Sequence, residues 1–166
     1  MSLETSAQRL WKRLPPGERA AAAGAFFKEP PQELLGAALG AVVRARKLRP
    51  QVARRLSPES LAGILASVSE PGEALCAALL VALHLTERRS MLATFLDAVG
   101  LPHEDGLLKE DDAGQPLAAA AALQGLAALR AKYPEEQVRT YVNTLWLQDP
   151  ERWAVLDDPA VLPPGA

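Results

Sequence analysis

The sequence predicts an all-α protein, and three observations carry the prediction. Ala and Leu supply 59 of the 166 residues while Val and Ile supply only 11, so helix formers far outnumber the β-branched residues that strands prefer. Prolines recur where a missing N–H costs nothing, at the first position of a helix: Pro16, Pro31, Pro50, Pro58, Pro71, Pro116, Pro134 and Pro150. Between them, apolar residues fall at i, i+3, i+4 and i+7, the spacing that gathers side chains on one helical face.

Taken in order, the elements follow from those marks. Leu3, Ala7, Leu10, Trp11 and Leu14 form one stripe and predict a helix over 3–14. Pro16 and Pro31 open helices over 16–28 and 31–47, with Glu18 and Glu33 in first turns where negative charge meets the positive end of the helix dipole. A short helix is expected at 50–56. The best-formed start is Ser57-Pro58-Glu59, a capping hydroxyl followed by proline and an acid, and it opens a helix over 58–68 with Leu61, Ile64, Leu65 and Val68 on one side. Helices over 71–87, 90–99, 116–131 and 134–148 complete the series; Leu92, Phe95, Leu96 and Val99 mark one, and Val138, Tyr141, Val142, Leu145 and Trp146 another.

An internal echo with a period of about 42 residues runs through the first half, within the range of two-helix repeats. Residues 13–47 and 55–89 each hold Arg-Leu, a proline-started helix, a second proline, a longer Leu/Ala-rich helix and a terminal basic pair, Arg46-Lys47 and Arg88-Arg89. A third, less similar unit could begin at Leu101-Pro102. The expected architecture is therefore a HEAT- or armadillo-like stack of about three helical hairpins, or else an irregular helical bundle. Residues 1–148 are expected to form one helical domain. Residues 149–166 form a proline-rich tail whose Trp153, Val155 and Leu156 would pack back on it.

The longest apolar run, Ala74 to Leu85 with His84 inside, is shorter than the roughly 20 residues needed to cross a bilayer. With no secretory pattern at the start and a single cysteine, Cys76, within that run, a cytoplasmic protein is expected, with no membrane partner. Cys76 reads as a core residue rather than a reactive thiol.

Charge is where the sequence becomes specific. The net charge is −2, yet residues 1–99 hold 13 Lys/Arg against 9 Asp/Glu and residues 100–166 hold 5 against 11. Arg44, Arg46, Lys47, Arg49, Arg54 and Arg55 place six cations within twelve residues with no acid among them. The period maps Arg88 and Arg89 onto Arg46 and Lys47, so these eight residues are the candidate partner-binding set, lying on one edge if the repeat holds. Cations also belong in the last turn of a helix, where they offset its dipole.

The acidic counterpart is the stretch His103 to Gly114, with Glu104, Asp105, Glu110, Asp111 and Asp112. Its spacing departs from the alternating acids and terminal Glu of an EF-hand loop, so no metal is expected there. It reads as a solvated loop anchored by Leu107 and Leu108, free to meet the basic edge. Catalysis finds no foothold: two histidines, His84 and His103, have no nucleophile placed beside them, and glycine-rich phosphate loops, HExxH and paired-cysteine spacings do not occur. No catalytic residue and no cofactor are expected.

The functional expectation is a non-catalytic helical interaction or scaffold module. It would bind a protein partner or a second copy of itself through a groove or the basic edge. Nucleic-acid binding by phosphate contact along that edge is the alternative; against it, no aromatic residue is interleaved among the cations to stack bases. An enzyme or small-ligand site between helices ranks third.

Overall fold

A computed structural model describes residues 3–109 and 115–163. Among them are nine α-helices: α1 (Ala7–Arg13), α2 (Pro16–Lys28), α3 (Gln32–Arg46), α4 (Pro50–Ala53), α5 (Pro58–Ala66), α6 (Glu73–Glu87), α7 (Arg89–Val99), α8 (Ala119–Arg130) and α9 (Glu135–Gln148). A 3-10 turn follows at Ala154–Asp157, and the only strands among the described residues are His103–Glu104 and Leu107–Leu108. The fold is all-α. None of the helices is long and apolar enough to cross a membrane.

Helix starts obey the capping chemistry of the sequence. Ser57 accepts the Ser60 N–H at 3.2 Å with Pro58 in the first turn, and Ser6 accepts the Arg9 N–H at 3.3 Å. Pro16 and Pro50 lie inside first turns, whereas Pro31 and Pro134 sit at the cap itself. Three further starts move inward from their expected positions, among them α6, which begins at Glu73 rather than 71. α8 begins at Ala119 rather than 116, and the Leu117 N–H ahead of it donates to the Arg152 carbonyl at 3.1 Å. α1 begins at Ala7 rather than residue 3, because Ser6 caps it and the preceding N–H groups bond elsewhere: Leu3 to Asp157 at 2.9 Å, Glu4 to Asn143 at 2.6 Å.

The chain groups into two compact units. The first, Ser6–Glu87, is called here the N-terminal unit. The second joins Met1–Thr5 to Arg88–Ala166 and is called the C-terminal unit.

In the N-terminal unit α2 packs against α5 and α6, α1 against α6, and α3 against α4, α5 and α6. The core draws on Trp11, Phe26, Leu65, Leu75, Leu79, Leu80 and Leu83, each almost completely buried. Leu75, Leu79 and Leu83 run up α6 beside Cys76, Leu80 and His84, a stripe wide enough to serve several neighbours at once. Trp11 fills the centre and its indole N–H donates to the Val68 carbonyl at 2.8 Å, so its one polar atom is satisfied on burial. Glu73 reaches across to cap α1, accepting the Ser6 hydroxyl at 2.9 Å, the Gln8 N–H at 3.2 Å and the Ala7 N–H. Lys12 pairs with Glu70 beside it.

In the C-terminal unit α7 packs along α8, and α9 and the 3-10 turn pack on α8. Phe95 meets Tyr141 edge-on at 5.6 Å and Trp153 at 6.0 Å between ring centroids. Gly125 is what lets α7 approach so closely: a Cβ there would lie 2.5 Å from Phe95 Cε2 and 2.7 Å from Val99 Cγ1. Trp153, Leu156, Val161 and Leu162 are buried. The acidic stretch read as a loop contains a two-residue hairpin, with Glu104 opposite Leu107 and His103 opposite Leu108. Its tip, Asp105-Gly106, takes positive φ at both residues (48° and 82°), the requirement of the tight hairpin turn that Asp-Gly favours.

Candidate interaction surface

The C-terminal end of α3 builds the basic segment. The helix stops because Lys47 adopts the left-handed conformation (φ 52°, ψ 39°), its N–H and that of Leu48 both turning back to the Val43 carbonyl. Glycine usually takes this position, and a lysine there carries a local strain of about 1 kcal/mol. Arg49 caps α4 and Arg54 follows it, so the chain stays at the surface through Arg55 while Ala53 alone is buried. Arg44, Arg46, Lys47, Arg49, Arg54 and Arg55 are all exposed. None of the six makes an ion pair with any described residue. Amid them Val52 is 45 % exposed, one of three large apolar side chains so placed among the described residues.

The other two members of the expected set lie in the C-terminal unit and have other surroundings. Arg88 is 8 % exposed, at the cap of α7. Arg89 is bound to Asp105 of the hairpin at 2.8 Å. Arg46 and Lys47, the residues the i to i+42 relation pairs with them, are instead exposed. The six residues of 44–55 are thus brought together by one short segment; Arg88 and Arg89 belong to a different compact unit.

A groove of about 380 Å³ lies between α2 and α5, lined by Gly24, Phe27, Lys28, Pro58, Glu59 and Ala62. Its floor is apolar, with one charge of each sign at the rim. Hydrogen bonds from its own backbone N–H first, and then from Ser57, hold the Glu59 carboxyl below the usual range.

The residues read as chemically inert have the surroundings of core or surface groups. His84 is 3 % exposed and its Nδ1 lies 2.7 Å from the Leu80 carbonyl one turn back. His103 accepts the Gly106 N–H on Nδ1 at 3.1 Å, which leaves Nε2 to carry the proton toward Asp97 at 3.0 Å. Cys76 is buried, and burial first, then the nearby Glu73 charge, push its thiol up to about 12. Glu110, Asp111 and Asp112 lie outside the described residues. Among the described residues no three His, Cys, Asp or Glu side chains are grouped to hold a metal ion.

One surface was not singled out from the sequence. Asp149, Glu151, Asp157 and Asp158 put four carboxylates within ten residues of the C-terminal unit, and the one cation among them, Arg152, is 7 % exposed and stacked on Trp153 at 5.3 Å. The sequence shows the acids, but only the burial of Arg152 removes its charge from that surface. Compared with protein-family models, curated proteins and solved structures, the chain matches none.

Proposed function

We propose that this protein is a non-catalytic helical interaction module whose segment 44–55 binds an acidic surface of a protein partner. One observation carries the reading: six exposed cations without an internal ion-pair partner among the described residues surround an exposed valine. Exposed single charges contribute little to folding, so the fold does not need this concentration. A partner supplying carboxylates gains steered association from the cations and an apolar contact from Val52. The same valine favours protein over nucleic acid, since phosphate backbones offer it nothing and no aromatic side chain stands within 44–55 to stack on a base.

The echo in the sequence has a partial counterpart in the packing. α2 and α5, the first helices of the two related segments, pack together, as do α3 and α6, the second ones. Within each segment, though, α2 and α3, and likewise α5 and α6, make little contact, and α2 packs as closely on α6 as on α5. We read the N-terminal unit as an irregular helical bundle that presents 44–55 after α3.

The test is fluorescence anisotropy with a labelled Glu/Leu-rich peptide and, in parallel, single- and double-stranded oligonucleotides, each at low and near-physiological salt. The peptide is expected to bind, and the triple variant Arg46→Glu, Arg49→Glu, Arg54→Glu to weaken it at least about tenfold with circular dichroism unchanged. Oligonucleotide binding tighter than the peptide, with affinity falling steeply as salt rises, would replace this reading with phosphate recognition.

A further inference from the structure

The two compact units carry opposite charge. The N-terminal unit holds 11 Lys/Arg against 7 Asp/Glu, a net +4, and the C-terminal unit holds 7 against 13, a net −6. Net values of that kind matter only if the charge is exposed and uncompensated. On the basic side it is, as the six cations of 44–55 show. On the acidic side two segments compete.

The hairpin has the exposed Glu104 and an exposed Leu107, but its Asp105 is already held by Arg89 and its His103 by Asp97. The turn at 149–158 is different. Glu151, Asp157 and Asp158 are exposed, and none of them pairs with a cation among the described residues. Their remaining bonds are to neutral donors: Asp157 accepts the Leu3 N–H and Asp158 the Ala160 N–H at 2.8 Å. Arg152, the one cation within the segment, is buried against Trp153 and makes no ion pair with these acids. Close by in the fold, α8 packs on the 3-10 turn and carries Leu123, 47 % exposed. Each surface therefore combines uncompensated charge with an exposed aliphatic on an adjoining or shared element.

We propose that the acidic partner of segment 44–55 is the 149–158 turn of a second copy of this chain. The proposal rests on the basic segment being an interaction surface, and it names what that surface meets. Arg46, Arg49 and Arg54 would face Glu151, Asp157 and Asp158, with Val52 adding an apolar contact. Because donor and acceptor surfaces are different patches, the contact is either reciprocal, closing at two copies, or head-to-tail, adding copies as concentration rises.

Sedimentation equilibrium across a concentration series tests this on the full chain. At low ionic strength the average mass is expected to rise with concentration. It should return toward the monomer near 1 M salt, where screening acts within about 3 Å. Two variants follow: one with Arg46→Glu, Arg49→Glu and Arg54→Glu, the other with Glu151→Lys, Asp157→Lys and Asp158→Lys. Each alone is expected to stay monomeric, with at least about a tenfold weaker association constant. Mixed in equal amounts they should associate again, since each reversed surface now fits its reversed counterpart. That recovery requires both variants to be folded, so misfolding cannot imitate it. A wild-type chain that stays monomeric at every concentration, or variants that fail to recover when mixed while circular dichroism shows them folded, would overturn the proposal. If the wild type is monomeric yet still binds the Glu/Leu-rich peptide, the surface stands and the second copy is wrong; if neither is seen, both readings fall.

Discussion

The N-terminal unit is closed mainly by aliphatic packing around Trp11 and an edge-on Phe26–Phe27 pair, the C-terminal unit by rings gathered on Phe95 where α8 offers a glycine. In the first, Leu side chains of α6 and the Trp11 indole meet from several helices, and small residues such as Ala22, Ala23 and Ala38 tune the spacing. In the second, Phe95 meets Tyr141 edge-on and Trp153 tilted, and α8 contributes the absence of a side chain at Gly125. The difference teaches that an Ala/Leu-rich chain can reach a close-packed core by two routes. Many interchangeable contacts tolerate change at any one; a few shape-dependent ones do not.

The comparison can be broken first at the centres. Trp11→Ala and Phe95→Ala should each cost about 3–5 kcal/mol in denaturant unfolding, since both side chains are almost fully buried. Cys76, buried in the N-terminal unit with its thiol raised to about 12, gives the readout that separates the units. A thiol-specific chromogenic reagent at neutral pH should leave the native protein unlabelled. Trp11→Ala should speed labelling strongly, while Phe95→Ala, in the other unit, should change it little. Equal labelling in both variants would mean that the two units open together.

Gly125→Ala comes next. The new methyl would meet Phe95 and Val99 well inside contact distance, and the strain is expected to cost about 1–3 kcal/mol. A similar substitution at Gly24 of α2, where a Cβ meets nothing, should instead stabilise by up to about 1 kcal/mol through helix propensity. Thermal unfolding of the pair compares the two packing modes directly.

Glu73 gives a smaller, pH-dependent effect. Burial pushes its carboxyl up, but the Ser6 hydroxyl, the Ala7 and Gln8 N–H groups and Arg9 together outweigh that and hold it below the ordinary value. A carboxylate lowered in the folded state contributes its stability above the ordinary value of 4.5 and loses it as pH falls through the folded one. Glu135 of the C-terminal unit behaves alike, lowered first by Arg130, which it binds at 2.9 Å. Glu73→Gln should therefore cost about 1 kcal/mol near neutral pH and flatten the loss of stability below pH 4.5, a value taken from the same carboxylate. Urea unfolding at pH 7 and pH 3.5 measures both. The smallest effect is expected at Lys47→Gly, which relieves the left-handed backbone by about 1 kcal/mol or less and should leave partner binding only slightly weaker, since five cations remain.

Helix positions were legible because proline, capping serine and apolar spacing act locally. Ser57-Pro58 starts α5 where the sequence places it, and the Leu3 to Leu14 stripe is buried at all five positions. What the stripe could not reveal is that Leu3 serves a different unit from Leu14, because periodicity records which face is apolar and not what covers it. The Asp105-Gly106 hairpin was missed for a related reason. Its signal is two residues long, and what pins it is non-local: a Cβ at Gly106 would lie 2.8 Å from the Leu92 Cβ. Of the candidate surface, 44–55 could be read from charge density alone. Arg88 could not, since burial of an arginine depends on where α7 docks, and neither could Arg152, whose charge is taken off the surface by Trp153.

Leu3, Glu4 and Thr5 belong to the C-terminal unit although the 82 residues from Ser6 to Glu87 separate them from the rest of it. On the ribosome, where domains generally fold as they emerge, the N-terminal unit can complete itself as soon as Glu87 is free. The Leu3 and Glu4 amides must wait for Asp157 and Asn143, made only after the whole N-terminal unit. Residues translated before the N-terminal unit thus find their partners only after it, and the late strap they form is the step at which a chain cut short of Asp157 would stall.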